Sequence, residues 1–402
     1  MSTKNLKIDN QRRLLSIVWS DGHESLYPYI WLRHECFFPA IGRPEQDSDS
    51  HCLNLDNPAD LHLIGHELVG DELILKWAND KNTTKHSLKD LRLGCLSGSE
   101  RQKRRLYPVH WNKADSDHFK WFEPADFEDT NRLLSIFKTV RDYGIALVRG
   151  LPTDPGTVVN LAQNFGPIRV THFGSLFDIR SQPDDRTGSG SNIGATQSNA
   201  QAPHIDETWR QNMPGISFFH CIKPDPGGQG ASVYIDGFAA AERIRANDPE
   251  AFKFLTTVPI LFAAMRNEHE QFRSRARAIV TDNEGIVRGV RIADRTLPAL
   301  DIPLEQIEPG YKALASIRRE FYDFSYAFER VLQPGECVIF DNHRVLHTRR
   351  AFNRNAGERW LQQVSVDRDE FQSGLQCLAR SLDDFAEAEI EQDSGALTDS
   401  PR

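Results

Sequence analysis

His204 and Asp206 stand two apart in Ala202-Pro203-His204-Ile205-Asp206-Glu207-Thr208-Trp209. In an extended segment, alternate residues project to one face, so the imidazole and the carboxylate lie side by side. Together they supply two of the three protein ligands of an Fe(II) site that keeps positions open for substrate and oxygen. The candidate third ligand lies downstream, where the apolar run Val338-Ile339-Phe340 ends in Asp341-Asn342 and a following segment leads to His347. Arg359, twelve residues further on, carries a forked guanidinium suited to a bidentate grip on a cosubstrate carboxylate. Singly, each has an ordinary reading: with 14 histidines a chance His-x-Asp pair is expected, His347 could cap a buried strand, and Arg359 could serve a salt bridge. Their combination points to Fe(II) held by His204, Asp206 and His347.

The elements that must position these residues fall into two regions. A chain of 402 residues exceeds what one core usually accommodates, so two domains are expected. Hydrophobic residues at 39% and charged residues at 26% fit a globular protein. No apolar run reaches about 18 residues and no apolar signal core opens the chain, so no membrane partner is expected. A net charge of −9 without a long basic block argues against nucleic acid as a partner. The six cysteines show no C-x-x-C pair, which suits reduced thiols in a cytoplasmic protein.

Residues 1–98 read as a small β-rich domain. Leu14–Trp19 and Leu26–Leu32 form one predicted hairpin, Glu67–Trp77 another around Gly70-Asp71, and His86–Leu91 a short helix. Residues 99–115, with four basic side chains at 101–105, read as a solvated linker. In 116–385 the spacing predicts helices over Asp129–Tyr143, Thr157–Phe165, Ala239–Arg245, Pro249–Thr256 and Tyr311–Leu332. Strands are expected at Ile145–Gly150, Ile216–Ile222, Ala231–Ile235 and before His347. Ser181–Gln201, rich in Ser, Gly, Asp and Asn, reads as a lid next to His204. Residues 386–402 are polar and acidic, and are expected to be a disordered tail.

Several further motifs carry a family resemblance spanning about Leu14 to Leu378. They include Val18-Trp19-Ser20-Asp21-Gly22, Ile30-Trp31-Leu32-Arg33-His34-Glu35-Cys36, Gly166-Pro167-Ile168-Arg169 and Phe173-Gly174-Ser175-Leu176-Phe177-Asp178. Ile235-Asp236-Gly237-Phe238, Asn342-His343-Arg344-Val345-Leu346-His347-Thr348-Arg349 and Val366-Asp367-Arg368-Asp369 complete the set. The sequence resembles the Fe(II)/2-oxoglutarate dioxygenases of the taurine dioxygenase superfamily, in their γ-butyrobetaine and trimethyllysine hydroxylase branch. The resemblance implies a mainly β catalytic domain with flanking helices, a double-stranded β-helix or jelly roll, beside the small N-terminal domain. It implies metal ligation by His204, Asp206 and His347, 2-oxoglutarate binding by Arg359 with Ser232 nearby, O2 as cosubstrate, and a homodimer. The implied reaction couples decarboxylation of 2-oxoglutarate to succinate with hydroxylation of a substrate C–H bond.

Two departures from that branch bear on function. Its N-terminal zinc cluster keeps only Cys36 and His86 here; Phe38 and Ile41 replace the other cysteines, so no zinc is expected, with Phe37, Phe38 and Ile41 packing instead. Its aromatic cage for trimethylammonium keeps Phe173 and Phe177, but two tyrosine positions fall on Ala195 and Ser365. Trp209 is a candidate to refill the cage, Asn192 matches a position contacting the substrate carboxylate, and His172 and Arg210 are further candidates. The expected substrate is a small, polar, carboxylate-bearing molecule. Alternatives are γ-butyrobetaine itself, desaturation or cyclisation on the same iron, or a metal-free jelly-roll binding protein. Halogenation is disfavoured because Asp206 supplies the acidic ligand that halogenases lack.

Overall fold

The computed structural model describes residues 2–35, 61–78, 83–181, 200–265, 269–353 and 357–390. The chain divides into two compact units, one of Met1–Arg105 with Phe385–Glu391, the other built on Leu106–Asp384. Among the described residues, no helix is long and apolar enough to cross a membrane.

The first unit holds two antiparallel three-stranded sheets. One runs Thr3–Asp9, Leu14–Trp19, Glu24–Pro28; the other runs Leu63–Val69, Glu72–Trp77, Thr83–Ser87. Period-2 burial places Leu15, Ile17 and Trp19 of one sheet with Leu73, Leu75 and Trp77 of the other in a single core. Three expectations need correcting here. The strand expected over 26–32 stops at Pro28, which lacks the N–H to continue a ladder, and Tyr29–Glu35 is a helix that buries Tyr29 and Leu32. The expected linker instead carries a helix, Gly98–Lys103, N-capped by Ser97 and tied in by Arg104 donating to the Cys95 carbonyl at 3.1 Å. The expected tail starts too early: Phe385–Ala388 is helical, with Ala388 buried and Lys89 Nζ 2.9 Å from the Phe385 ring centroid. Cys36, Phe37, Phe38 and Ile41 lie outside the described residues; His86 is buried, its Nε2 3.2 Å from Thr84 Oγ1.

The second unit is organised by a six-stranded sheet in the order Trp121–Phe122, Ile145–Val148, Cys337–Asp341, Ile216–Lys223, Arg359–Val366, Phe177–Ser181. A three-stranded sheet, Phe328–Arg330, Ser232–Asp236, Val345–Arg349, joins it through a shared apolar layer that includes Leu147, Phe340 and Leu361 from the first and Tyr234, Phe328 and Val345 from the second. On the outer side of the large sheet, the rings of Phe137, Phe165 and Phe371 stack with centroids 4.5 and 5.1 Å apart. The helices Gly237–Asn247, Pro249–Thr257 and Ile307–Phe321 pack against Ile235 and Leu346 of the small sheet. The helix expected to run to Leu332 ends at Phe321. There Asp323 accepts from Ser325 N at 2.9 Å, and Phe328–Arg330 instead pairs with Ser232–Asp236.

The turn between Cys337–Asp341 and Val345–Arg349 is fixed by a fully buried ion pair. Arg344 reaches Asp236 at 2.8 and 3.0 Å and also donates to the carbonyls of Asp142 and Val109, so the desolvated charges are fully hydrogen-bonded. Close by, Gly215 lies against the backbone of Val366–Arg368, where an added Cβ would sit 2.6 Å from the Val366 carbonyl oxygen. Backbone cannot yield as a flexible side chain can. Gly215→Ala is therefore expected to cost ~3 kcal/mol of stability, read as a lower urea midpoint.

Candidate active site

The two histidines are brought together by backbone pairing. His204 and His347 form an isolated antiparallel bridge, His204 N donating to His347 O at 3.1 Å and His347 N to His204 O at 3.0 Å. Asp206, on the same face as His204, places Oδ1 3.5 Å from His204 Nε2 and Oδ2 3.4 Å from His347 Nε2. One ligand atom from each residue lies within 4.8 Å of the others. Thus the His204 and Asp206 side chains and the His347 imidazole, over 140 residues downstream, converge on one point.

Neighbouring groups set the orientation of each candidate ligand. His204 Nδ1 is 2.9 Å from the Ala202 carbonyl, which fixes the proton there and leaves Nε2 facing the carboxylate. The His347 ring is flanked by Phe219 and Phe340 at centroid distances of 5.2 and 4.9 Å. Asn342 accepts from Asp206 N at 2.9 Å and donates to the Asp206 and Pro214 carbonyls at 3.2 and 3.1 Å, clamping the ligand segment. Gln363 Nε2 donates to Asp206 Oδ2 at 2.9 Å. Burial pushes His204 down to about 4, with His347 adding to the effect, so its ring is neutral near neutral pH. Burial alone would raise the Asp206 carboxyl, but the His347 and His204 imidazoles hold it well below the usual range. A neutral imidazole and an ionised carboxylate are the protonation states that a metal requires.

These groups line a cavity of about 730 Å³. Arg359, Leu361, Gln363 and Ser365, alternate residues of one strand, all face it. Arg359 is 6% exposed, and Arg349 faces the same cavity. Burial lowers both guanidiniums, Arg349 to about 10 with Arg359 opposing it further. Two desolvated cations that repel one another are stabilised by an anion lying between them. Ser232 lies opposite Arg349 in the antiparallel register and also faces the cavity.

Of the substrate candidates, Phe173 and Phe177 pair at 4.7 Å between centroids and line the cavity with His172, Trp209 and Ser365. Ser365 Oγ is 3.1 Å from Ser217 Oγ. Asn192 and Ala195, and the greater part of the predicted lid, lie outside the described residues. Arg210 is held by the Glu207 carboxylate, and its Nη2 is 2.9 Å from His172 Nδ1. Glu207, directly after Asp206, adopts φ +53°, a strained backbone for a non-glycine residue. Burial raises its carboxyl against the pull of Arg210. Sequence reasoning missed Gln363 and Glu207. The first was readable as the alternate neighbour of Arg359; the second has no local signal.

Two further buried histidines carry a pH consequence. Burial pushes His220 down to about 4, and His343 to about 3 with Arg368 adding to the effect. Below their ordinary value of 6.5, the unfolded chain takes up protons that these folded-state imidazoles resist. The stability they contribute is therefore complete above about pH 6.5 and falls as the pH drops toward 4. The melting temperature of metal-free protein should decline across pH 6.5 to 4.5, and less steeply in His220→Leu; a flat profile would contradict this.

Residues 104–365 match the taurine catabolism dioxygenase TauD, TfdA family, and residues 6–92 the N-terminal region of gamma-butyrobetaine hydroxylase-like proteins. The chain belongs to the TauD, TfdA dioxygenase family and is an oxygenase. It is similar to the gamma-butyrobetaine dioxygenase of Pseudomonas sp. (strain AK-1), 32% identical over 91% of this chain and 94% of that one. The human gamma-butyrobetaine dioxygenase is 26% identical, covering 92% and 95%. The trimethyllysine dioxygenase of Meyerozyma guilliermondii is 24% identical, covering 94% and 96%.

Proposed function

We propose that this protein is an Fe(II)- and 2-oxoglutarate-dependent hydroxylase of a small, polar, carboxylate-bearing molecule, its catalytic unit a jelly roll. The observation that carries this reading is the convergence of His204, Asp206 and His347 in a cavity whose wall also holds the buried Arg359. The donor set fits Fe(II): two imidazoles and one carboxylate suit the metal and leave positions for a bidentate keto acid and oxygen. The bound iron would couple decarboxylation of 2-oxoglutarate to oxidation of a substrate C–H bond.

The chain's own contribution is positioning. Arg359 offers two parallel N–H donors to the distal carboxylate of 2-oxoglutarate, and the Ser232 hydroxyl lies in the same wall. Gln363 and Asn342 hold Asp206 in one orientation, so the carboxylate need not reorganise when the metal binds. Phe173 and Phe177 give the substrate an apolar face and keep water from it. With Ser365 at a cage position, a quaternary ammonium loses part of its aromatic surround, which favours a substrate other than γ-butyrobetaine. The two facing β layers of the second unit support the jelly-roll reading. The described cysteines, all free, support a reducing cytoplasm, and the family resemblance supports a homodimer. The test is turnover: with Fe(II), 2-oxoglutarate and air, succinate should form in step with 2-oxoglutarate loss. A protein that consumes none is not this enzyme.

A further inference from the structure

The charged side chains of the cavity are nearly all engaged. Asp206 faces the two histidines, Glu207 holds Arg210, and Arg169 is paired with Asp367. Arg349 and Arg359 form the deep cationic wall. Arg295 differs: it lines the same cavity, is exposed, and has neither an ion pair nor a hydrogen bond among the described residues. The acid beside it in sequence is taken, since Asp294 lies 3.5 Å from Arg318.

Its backbone is rigidly tied to the metal-ligand segment. Arg295 sits in the short 3-10 turn Asp294–Thr296. Thr296 Oγ1 donates to the Ala293 carbonyl at 2.8 Å and lies 2.7 Å from Thr208 Oγ1. Ile205 N donates to Ile292 O at 2.8 Å, so the turn is bonded to the chain on both sides of Asp206. The buried Arg291 adds bonds to the carbonyls of Thr208, Arg210 and Gln211 at 3.0 to 3.2 Å. The charge also reaches the metal site, where it is one of the influences lowering His204. A guanidinium held at fixed register to the ligands, facing a shared cavity and without an ionic partner among the described residues, lacks the partner its geometry suits.

Resting on the oxygenase reading above, we propose that Arg295 is a specificity-determining residue that binds the carboxylate of the substrate. A single cation fits a monocarboxylate; a phosphate would call for a cluster of donors. The rest of the substrate then lies against apolar wall supplied by Phe173, Phe177, Ala263, Ala264 and Met265. The anion on Arg295 and the 2-oxoglutarate on Arg359 would be separate, so the two acids do not compete for one site.

The test uses the full chain with Fe(II), 2-oxoglutarate and air. The probes are straight-chain four- to six-carbon ω-amino and ω-trimethylammonio acids, each beside its primary amide. Succinate release should be stimulated by acids and not by their amides. Arg295→Gln should lower the acid-stimulated kcat/KM about tenfold, mainly through KM, as loss of one exposed charge-assisted contact implies. Arg295→Lys should recover part of that loss, with the KM for 2-oxoglutarate and the anaerobic visible band of the Fe(II)–2-oxoglutarate chelate unchanged in both variants. Equal stimulation by acid and amide, no stimulation by any probe while the band forms, or a wild-type acid KM in Arg295→Gln would overturn the proposal. If wild-type protein gives no band, the oxygenase reading itself fails and the assignment of Arg295 falls with it.

Discussion

Replacing His204 or His347 by alanine should reduce 2-oxoglutarate-dependent succinate release to the level of free iron in buffer. Each substitution removes one of three candidate ligand atoms that lie within 4.8 Å of each other, and among the described residues the wall offers no substitute imidazole: His172 is engaged with Arg210. A metal held by two ligands binds far more weakly and loses the geometry that directs the keto acid. The two variants should differ in stability. In His347→Ala, a ring packed against Phe219, Phe340 and His204 leaves the larger cavity, whereas His204→Ala removes a buried ring that packs on His347 and bonds Ala202. His347→Ala should therefore melt lower while both lose turnover. Either variant retaining turnover would show that the iron is held elsewhere.

Arg359→Ala should raise the 2-oxoglutarate requirement about a hundredfold, with a smaller effect on turnover at saturation. A bidentate charge-assisted pair in a desolvated wall contributes ~3 kcal/mol, and each 1.4 kcal/mol is tenfold in affinity. The loss should not be complete, because Arg349 faces the same cavity and supplies long-range attraction to the dianion. Arg359→Lys should remain strongly impaired, since an ammonium keeps the charge without the fork. An unchanged 2-oxoglutarate KM in Arg359→Ala would transfer the role to Arg349, Arg350 or Arg354.

Much of this site was legible in the sequence because strands expose it by alternation. His204 and Asp206 share a face for that reason, and the apolar run expected to lead as a strand toward His347 forms Cys337–Asp341, with His347 on the next strand, Val345–Arg349. The same rule, applied to Arg359–Val366, would have found Gln363. What could not be read are contacts between distant residues, such as Arg210 with His172, or Thr208 with Thr296 of the turn that carries Arg295. The misread elements have local causes. Tyr29-Ile30-Trp31 has strand-forming side chains, yet the chain turns helical after Pro28. The tail expected from residue 386 is polar enough to suggest disorder, but the Phe385 ring beneath Lys89 and a buried Ala388 order its first residues. The cage position Ala195 and the carboxylate-contact position Asn192 lie outside the described residues.

Anaerobic addition of Fe(II) and 2-oxoglutarate to the purified protein is the most direct measurement. A weak visible charge-transfer band should appear and saturate at one iron per chain, and it should be absent from Asp206→Ala. Wild-type protein that binds no iron and stays colourless, or an Asp206→Ala variant with an undiminished band, would mean that these three side chains do not hold the metal.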